Sequence, residues 1–385
     1  MRKLAHVETI IWKRPIDGAD RIELVGVLGW QCIAKKDEFK AGDKCVYIEI
    51  DSLVDKDNPD FEFLEPKKFK IKTMKMRGVL SQGIVFPISI LHSRREWQNG
   101  DDVTDILKIK HVDEAPSATR SDEMLANYKR RHKKIFKNRF VKWLMRFDKI
   151  RNFITNVAIK KEGSRKRKYD FPSWIAKTDE QRIQNVPSIL KTYHGKPMIV
   201  TEKIDGTSST FFLKKSGNDY EFGVCSRNIY LKGDPKDLHF YYGINPDTYL
   251  GIADTYNIRA ALSALFEKLK AQNTIVLQGE IIGEAIQDNK YGIKGTDFYG
   301  FNLIIDGKKI SSVEAKNIVS EFGIKWVPIL DGAYYLPETV DEILAYADGT
   351  SQLCNTLREG VVIRDFDNTV SFKCISNKFL LKHKI

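Results

Sequence analysis

Residues 198–213 read MIVTEKIDGTSSTFFL, and this stretch decides the fold of the larger part of the chain. An apolar run at 198–200 leads into a polar connection at 201–206, and a second apolar run follows at 209–213. The pattern is typical of two strands joined by a tight turn. Gly206 permits close backbone approach, and Lys203 at the strand edge is well placed to meet a nucleotide. Four residues, Lys-x-Asp-Gly, are too few to identify a site, and alone they are explained more simply by a surface turn.

Further short motifs stand in order along the chain. Taken singly, residues such as Arg227 or Phe301 are more often surface or core residues than ligand contacts. The motifs are CSRN at 225–228, LQGE at 277–280, FYGFN at 298–302, EGVVIR at 359–364 and SFK at 371–373. With the lysine motif they resemble, in order, the motifs of the covalent nucleotidyltransferase superfamily, which holds ATP-dependent RNA and DNA ligases and mRNA capping enzymes. The phrase KTDEQRIQN at 177–185 resembles the RNA ligase 2-like group, and the chain is most similar to its type 5 branch, in which an OB domain precedes the catalytic domain.

The resemblance implies a role for each motif. Lys203 is expected to attack the α-phosphorus of ATP, which gives lysyl-AMP and pyrophosphate, with Mg²⁺ or Mn²⁺ assisting. The expected catalytic residues are Lys203, Asp205 and Lys373. The expected nucleotide contacts are Glu202, Arg182, Arg227, Glu280, Phe301 and Lys373, and the expected metal ligands are Glu359 and Glu280. Phe298 is near enough in sequence to compete with Phe301 for the adenine ring.

This chemistry sets a condition on Lys203. A free lysine, with a pKa of about 10.4, is mostly ammonium and cannot attack, so its pKa must fall by burial or through neighbouring positive charge. Lys373, a metal ion and Arg227 are candidate sources of that charge. One position departs from the family pattern, because related ligases often carry a second lysine where this chain has Ile375. Lys378 lies three residues further on and is a possible substitute.

Residues 1–112 predict a separate all-β domain. Short apolar runs at 23–36, 45–53 and 83–91 are separated by turn signals. About five short strands in this length fit a barrel of the OB type. The predicted fold class is therefore α+β, with an OB-type barrel in 1–112 and a nucleotidyltransferase domain of antiparallel sheets with flanking helices in 171–385.

The order of the two domains separates the members of the superfamily. DNA ligases and capping enzymes place their OB domain after the last motif, but only 12 residues of the sequence follow Lys373. Five strands of about five residues each do not fit there. The expected function is an ATP-dependent RNA ligase that joins 3′-OH and 5′-phosphate ends through lysyl-AMP and an adenylylated 5′ end, sealing nicks or breaks in RNA-containing duplexes. The alternatives are a DNA ligase or capping-type enzyme, or a nucleic-acid-binding protein with an inactive ligase domain.

Positive charge is concentrated in residues 113–170, which predict a basic helical insert between the domains. From residue 116 to residue 170 there are 18 Lys+Arg and five Asp+Glu, whereas the whole chain has a net charge of +12. The segment is either a helical connector with solvated charges or an element that contacts nucleic-acid phosphates, and a membrane-surface helix is a weaker option. On the second interpretation Lys133, Lys134, Lys137 and Arg139 contact RNA.

Composition limits the remaining possibilities. The five cysteines are scattered without a Cys-x-x-Cys pair, which is typical of reduced thiols in an intracellular protein and argues against a structural zinc. No apolar run approaches the roughly 20 residues that span a bilayer. We therefore expect a monomer without a membrane partner, cytoplasmic or in another intracellular compartment such as the nucleus.

Overall fold

The computed structural model describes residues 3–112, 128–129, 132–137, 141, 144–145, 147–167, 169–242 and 244–383. Within these residues, a β-domain that resembles an OB barrel precedes a larger domain of sheets and helices. The fold class predicted from the sequence, α+β with an N-terminal OB-type barrel, is therefore confirmed. The exact domain boundaries remain a prediction.

The N-terminal domain is curled around one long strand, β1. Its first half pairs with β4 and its second half with β2, and the register shifts between Ile10 and Trp12. Such an irregularity bends a strand, so β1 belongs to both sides of the curled sheet. The main sheet has the order β3-β2-β1-β4-β9, beside the smaller sheets β10-β5-β6 and β7-β8. The strands are β1 (Ala5–Pro15), β2 (Ile22–Val27), β3 (Trp30–Lys35), β4 (Lys44–Ile48), β5 (Ser52–Leu53), β6 (Lys70–Ile71), β7 (Met74–Met76), β8 (Val79–Ser81), β9 (Ile84–Pro87) and β10 (Lys110–His111).

The larger domain consists of two five-stranded sheets. One has the order β11-β20-β19-β12-β18 and the other the order β14-β13-β15-β16-β17. The pairs are antiparallel as predicted, except that the short β11 runs parallel to β20. The strands are β11 (Gln181–Arg182), β12 (Pro197–Lys203), β13 (Thr207–Ser216), β14 (Asp219–Ser226), β15 (Thr274–Gly283), β16 (Thr296–Ile305), β17 (Lys308–Lys309), β18 (Ile329–Tyr335), β19 (Gly360–Arg364) and β20 (Ser371–Ile375).

Several helices pack against these sheets. The helices in the described part of the chain are α1 (Lys133–Lys137), α2 (Asp148–Arg167), α3 (Ile189–Thr192), α4 (Pro235–Tyr242), α5 (Pro246–Thr255), α6 (Ile258–Lys268), α7 (Ser312–Ser320), α8 (Val340–Ala347) and α9 (Asn377–His383). Helix α6 presents an apolar stripe, including Leu262 and Leu265, to the core beneath β13 and β15. Helix α8 closes the core of the other sheet with Ile343 and begins with a capping box at Thr339. Because helices pack on one face of each sheet, a site can form only on the opposite faces.

A small apolar joint connects the last helix to the N-terminal domain. Leu380 of α9 packs with Ile375 at the end of β20 and with Leu80 of β8. All three side chains are buried. The end of the last motif strand is therefore anchored on the OB-type domain as well as in its own sheet.

The cysteines are free thiols, and four of the five are buried. Burial raises the pKa of Cys45, Cys225 and Cys374 to about 12, so these thiols stay protonated and unreactive near neutral pH. Among the described residues, no helix combines the length and the apolar character needed to cross a membrane.

Gly360 offers a test of the packing between β19 and β20. A Cβ at this position would lie 2.1 Å from the backbone oxygen of Cys374. Backbone atoms cannot easily move aside, so we expect Gly360→Ala to lower the free energy of unfolding by about 2 kcal/mol or more. Urea unfolding followed by circular dichroism measures the change.

The matched control is Gly251→Ala within α5. A Cβ there meets no atom within 4 Å. Replacing a glycine inside a helix with alanine is expected to stabilise the protein by about 0.5–1 kcal/mol. Equal effects of the two substitutions would contradict the packing argument for Gly360.

Candidate active site

Lys203 ends β12 at the point where the two sheets of the larger domain meet. It is paired across the ladder with Gly360, the residue that follows Glu359. Lys203 Nζ donates a hydrogen bond to Glu359 Oε2 at 2.6 Å. Gly206 then brings the chain against the other sheet, where a Cβ would lie 2.3 Å from the backbone oxygen of Ile281. The glycine is required for this close approach.

Three carboxylates surround the Lys203 amine. Burial alone would lower the pKa of Lys203, but Glu359, Glu280 and Asp205 together outweigh it, and the pKa is raised. Burial also raises the pKa of Glu280, to about 8. The lowered lysine pKa that the predicted chemistry requires is therefore absent from the protein without a ligand.

This excess of carboxylates suits a divalent cation. No group of three or more His, Cys, Asp and Glu side chains in the described ranges is arranged to hold a metal. A magnesium or manganese ion would accordingly use Glu359 and Glu280 together with water and substrate oxygens, as Mg²⁺ commonly does. The residues present fit such an ion.

A second group of cations faces the same cavity. Arg182 and Lys373 are direct partners in the parallel β11–β20 pair, so they stand side by side. Lys373 Nζ donates to Asp179 Oδ1 at 2.8 Å, and Arg227 lies 3.7 Å from the same oxygen. Burial and the charges of Lys203 and Arg182 lower the pKa of Lys373 against the opposing effect of Asp179. The Asp179 carboxylate therefore occupies a position beside Lys373 and Arg227 that a phosphate group could take.

Glu202 and Phe301 mark a subsite for a base. Glu202 is 1% exposed, and its Oε2 accepts a hydrogen bond from the backbone N–H of Gln352 at 2.8 Å. Its Oε1 is buried without a hydrogen-bond partner. A buried acceptor of this kind is costly unless a ligand satisfies it. Phe301 lines the cavity, whereas Phe298 is fully buried in the core against Phe211, so Phe298 does not compete for the base.

Asp205 is predicted to be catalytic together with Lys203 and Lys373, but its side chain makes its contact with another residue. Its carboxylate forms an ion pair with Lys290, and both side chains are largely buried. Its backbone N–H donates to Tyr291 Oη at 2.8 Å. Asp205 is near enough to influence the pKa of Lys203, yet it does not line the cavity with Lys203. No sequence signal links Lys290 or Tyr291 to the lysine motif.

Lys378 does not replace the second lysine of the last motif. Its side chain is exposed, does not line the cavity and lies 4.0 Å from Asp348. Ile375, at the departing position, is buried against Leu80 and Leu380. Ile375 therefore stabilises the contact between the two domains. Unlike a lysine, its side chain has no charge with which to bind a phosphate.

The cavity has a volume of about 1150 Å³ and is lined by both domains. His6 of β1 is buried there between two acids, with Nδ1 2.7 Å from Glu8 and Nε2 3.6 Å from Glu49. Burial opposes the charge of His6, but hydrogen bonds with Glu49 and Glu8 raise its pKa to about 9. The N-terminal residues at the cavity include Lys3, His6, Glu8, Glu49, Asp51 and Lys72. The sequence-based prediction does not assign these residues to the site, and for His6 and Glu8 the available signal is polar residues inside an apolar strand at 5–10. Lys72 lies in the basic stretch at 67–77, for which a solvated strand face and a face toward nucleic acid or nucleotide phosphates are both possible.

The structure describes only part of the group of four basic residues predicted to contact RNA. Lys133, Lys134 and Lys137 belong to the short helix α1, and Lys133 is exposed. Arg139 lies outside the described residues. Lys133 does not line the cavity.

Comparison with known proteins agrees with this two-domain site. Residues 4–88 match an OB-fold domain model, and residues 196–383 match the RNA ligase family model. A structure of Naegleria gruberi RNA ligase with PPi is 32% identical, with a TM-score of 0.70, over 100% of this chain and 99% of that chain. A lysine-to-alanine mutant of that ligase with ATP and Mn is 31% identical, with a TM-score of 0.71, over 99% of both chains. A lysine-to-methionine mutant with AMP and Mn is 32% identical, with a TM-score of 0.71, over 100% of this chain and 99% of that chain. No curated protein matches the chain.

These similarities extend over both domains and the region between them. They support neither a DNA ligase nor a capping enzyme, in line with the domain order. The chain therefore belongs to the RNA ligase family and is an RNA ligase whose OB-fold domain precedes its ligase domain.

Proposed function

We propose that the enzyme uses ATP to join RNA 3′-OH and 5′-phosphate ends through a lysyl-AMP intermediate on Lys203. The observation that carries the proposal is the convergence of Lys203, Glu359, Glu280 and Lys373 at one cavity. The structures of the Naegleria gruberi ligase with ATP, AMP, PPi and Mn support a reaction with ATP and a divalent metal. In three steps, Lys203 is adenylylated, AMP passes to a 5′-phosphate, and a 3′-OH displaces AMP.

In the first step a bond forms between Lys203 Nζ and the α-phosphorus, and the bond to pyrophosphate breaks. The ammonium must first lose a proton, for which the hydrogen-bonded Glu359 is the nearest acceptor. A divalent cation held by Glu359 and Glu280 would supply positive charge that lowers the lysine pKa. Lys373 and Arg182, side by side on β20 and β11, would neutralise the phosphate oxygens as charge develops on them.

Adenine is proposed to bind between Glu202 and Phe301. The unpartnered Glu202 Oε1 can accept a hydrogen bond from the exocyclic amine of adenine. Guanine carries a carbonyl at the equivalent position, so its oxygen would face a carboxylate. Phe301 would stack on the base. This arrangement favours ATP over GTP.

The proposed substrate is a nick or break in an RNA-containing duplex, and the proposed acting species is a monomer. Both domains of one chain line the cavity, so a second copy is not needed to complete it. Sealing assays with matched nicked and single-stranded RNA, and with DNA on either side of the junction, measure the preference. Faster sealing of free single strands would contradict the duplex proposal.

Lys203→Ala is expected to abolish the transfer of α-labelled AMP to the protein, by at least ~100-fold, because no other side chain replaces the attacking amine. The label is measured after denaturing electrophoresis, with Mg²⁺ or Mn²⁺ and with chelator added to the wild type. Lys215→Ala, at an exposed lysine of β13, is the matched control. Undiminished labelling of Lys203→Ala would exclude Lys203 as the nucleophile.

The same assay tests the alternative of an inactive ligase domain. A wild-type protein that binds RNA but takes up no label with either metal would favour that alternative. Labelled protein that seals no RNA would place the enzyme in another nucleotidyltransferase class.

Asp179→Asn is expected to lower the KM for ATP about two- to fivefold. The carboxylate competes with phosphate for Lys373 and Arg227, and partly exposed pairs of this kind contribute about 0.5–1 kcal/mol. The KM is measured from the ATP dependence of lysyl-AMP formation. Asp219→Asn, at the exposed start of β14, is the control. A raised KM would instead mean that Asp179 orients Lys373 for ATP binding.

We propose that the basic segment holds RNA through Lys133, Lys134, Lys137 and Arg139. Changing all four residues to Gln is expected to flatten the dependence of RNA affinity on salt, by about 0.7–0.9 in the log–log slope for each phosphate that the segment no longer neutralises. Titrations of a labelled RNA at several salt concentrations measure the slope. A loss of lysyl-AMP formation instead would show that the segment supports the catalytic domain.

A further inference from the structure

Trp30 lies where the OB-fold domain touches the ligase domain. It begins β3 directly after the turn at Leu28 and Gly29. The residue is only 1% exposed, and its ring packs in the core of the OB-fold domain, 6.5 Å from the ring of Tyr47. The indole is therefore fixed in position by its own domain.

One edge of the indole crosses to the ligase domain. Trp30 Nε1 donates a hydrogen bond to Asn185 Oδ1 at 2.7 Å. The turn before Trp30 also packs closely on the ligase domain. A Cβ on Gly29 would lie 2.7 Å from Val340 and 3.1 Å from the backbone of Gln184. The contact between the domains is tight at this point, which holds the ring against residues 182–185.

The Arg182 guanidinium lies over the Trp30 ring, with Cζ 5.4 Å from the ring centroid. This distance is within the range of a cation–π interaction, which is strongest for tryptophan. Arg182 is the neighbour of Lys373 in the β11–β20 pair and lines the cavity. Arginine is long and flexible, so a fixed aromatic surface beneath its guanidinium restricts the directions that it can adopt.

We propose that Trp30 is a positioning residue for adenylylation, by which the OB-fold domain orients Arg182 toward the phosphates of ATP. The inference rests on the proposed function and adds a residue that touches neither nucleotide nor metal. It explains why Trp30 gives its only described side-chain hydrogen bond to the ligase domain while its ring is buried in the OB-fold domain. Removal of the ring should weaken binding of the phosphates and leave binding of the base unchanged.

The experiment compares Trp30→Leu with Trp30→Phe and with a matched control, Phe61→Leu. Phe61 is equally buried, but it belongs to the other core cluster of the OB-fold domain, away from Arg182. The measurements are the KM for ATP and the rate at saturating ATP in lysyl-AMP formation, the inhibition constant of adenosine, and the melting temperature. Adenosine carries the base without phosphates, so its inhibition constant reports the base subsite alone.

For Trp30→Leu we expect the KM for ATP to rise at least about fivefold, with the saturated rate and the adenosine inhibition constant within about twofold of wild type. Trp30→Phe keeps an aromatic face but lacks the hydrogen bond to Asn185, so we expect a smaller rise. Phe61→Leu should leave all three kinetic values near wild type, even if its melting temperature falls. If Trp30→Leu does not fold, Trp30→Phe provides the test, and an unchanged KM in that folded variant overturns the inference.

A double-mutant cycle identifies the partner. If Trp30 acts through Arg182, Trp30→Leu should add little to the raised KM of Arg182→Ala. Additive effects, a parallel weakening of adenosine binding or an equal response of Phe61→Leu would overturn the inference while leaving lysyl-AMP formation on Lys203 intact. A wild-type protein that forms no lysyl-AMP would overturn the proposed function and this inference together.

Discussion

The ion pair between Lys203 and Glu359 organises the site, because the amine cannot be both a paired ammonium and a nucleophile. The ladder between β12 and β19 fixes the pair, and Gly206 brings the carboxylate of Glu280 from the other sheet to the same amine. The protein without ligands therefore favours the ammonium form of Lys203. Under the proposed function, positive charge that arrives with the substrate and its metal would release the amine, so the lysine would stay unreactive when either is absent.

The other cations at and beside the site are likewise paired with carboxylates of the protein. Lys373 and Arg227 are bound to Asp179, and Asp205 is bound to Lys290. The pair of Asp205 and Lys290 is largely buried, so each side chain satisfies a charge that would otherwise be poorly solvated, which is expensive in a folded protein. Asp179 and Arg227 are mainly exposed, and their pairing is correspondingly weak. Under the proposed function, substrate binding would therefore be an exchange of partners, in which phosphates and metal replace side chains that already satisfy one another.

The predicted site residues that the structure brings together belong to short local motifs. The positions of Lys203, Glu359 and Lys373 could be predicted from the sequence because each lies in a short motif on or beside one of the paired strands β12, β19 and β20. The choice between Phe298 and Phe301 could not, since it depends on which side of β16 faces the core. Trp30 and Lys290 could not be found for another reason: they contact residues more than 80 positions away, which no local pattern encodes. His6 could not be found because it reaches the cavity from the other domain.

The two-residue strand β11 links two cations of the cavity to the N-terminal domain. Its only partner in the described sheet is β20, so Arg182 and Lys373 share one strand pair. Further along, β20 ends at Ile375, which packs on the barrel through Leu80. The strand pair that would hold the phosphates under the proposed function therefore contacts the N-terminal domain at two points, through Trp30 beneath Arg182 and through Leu80 beside Ile375.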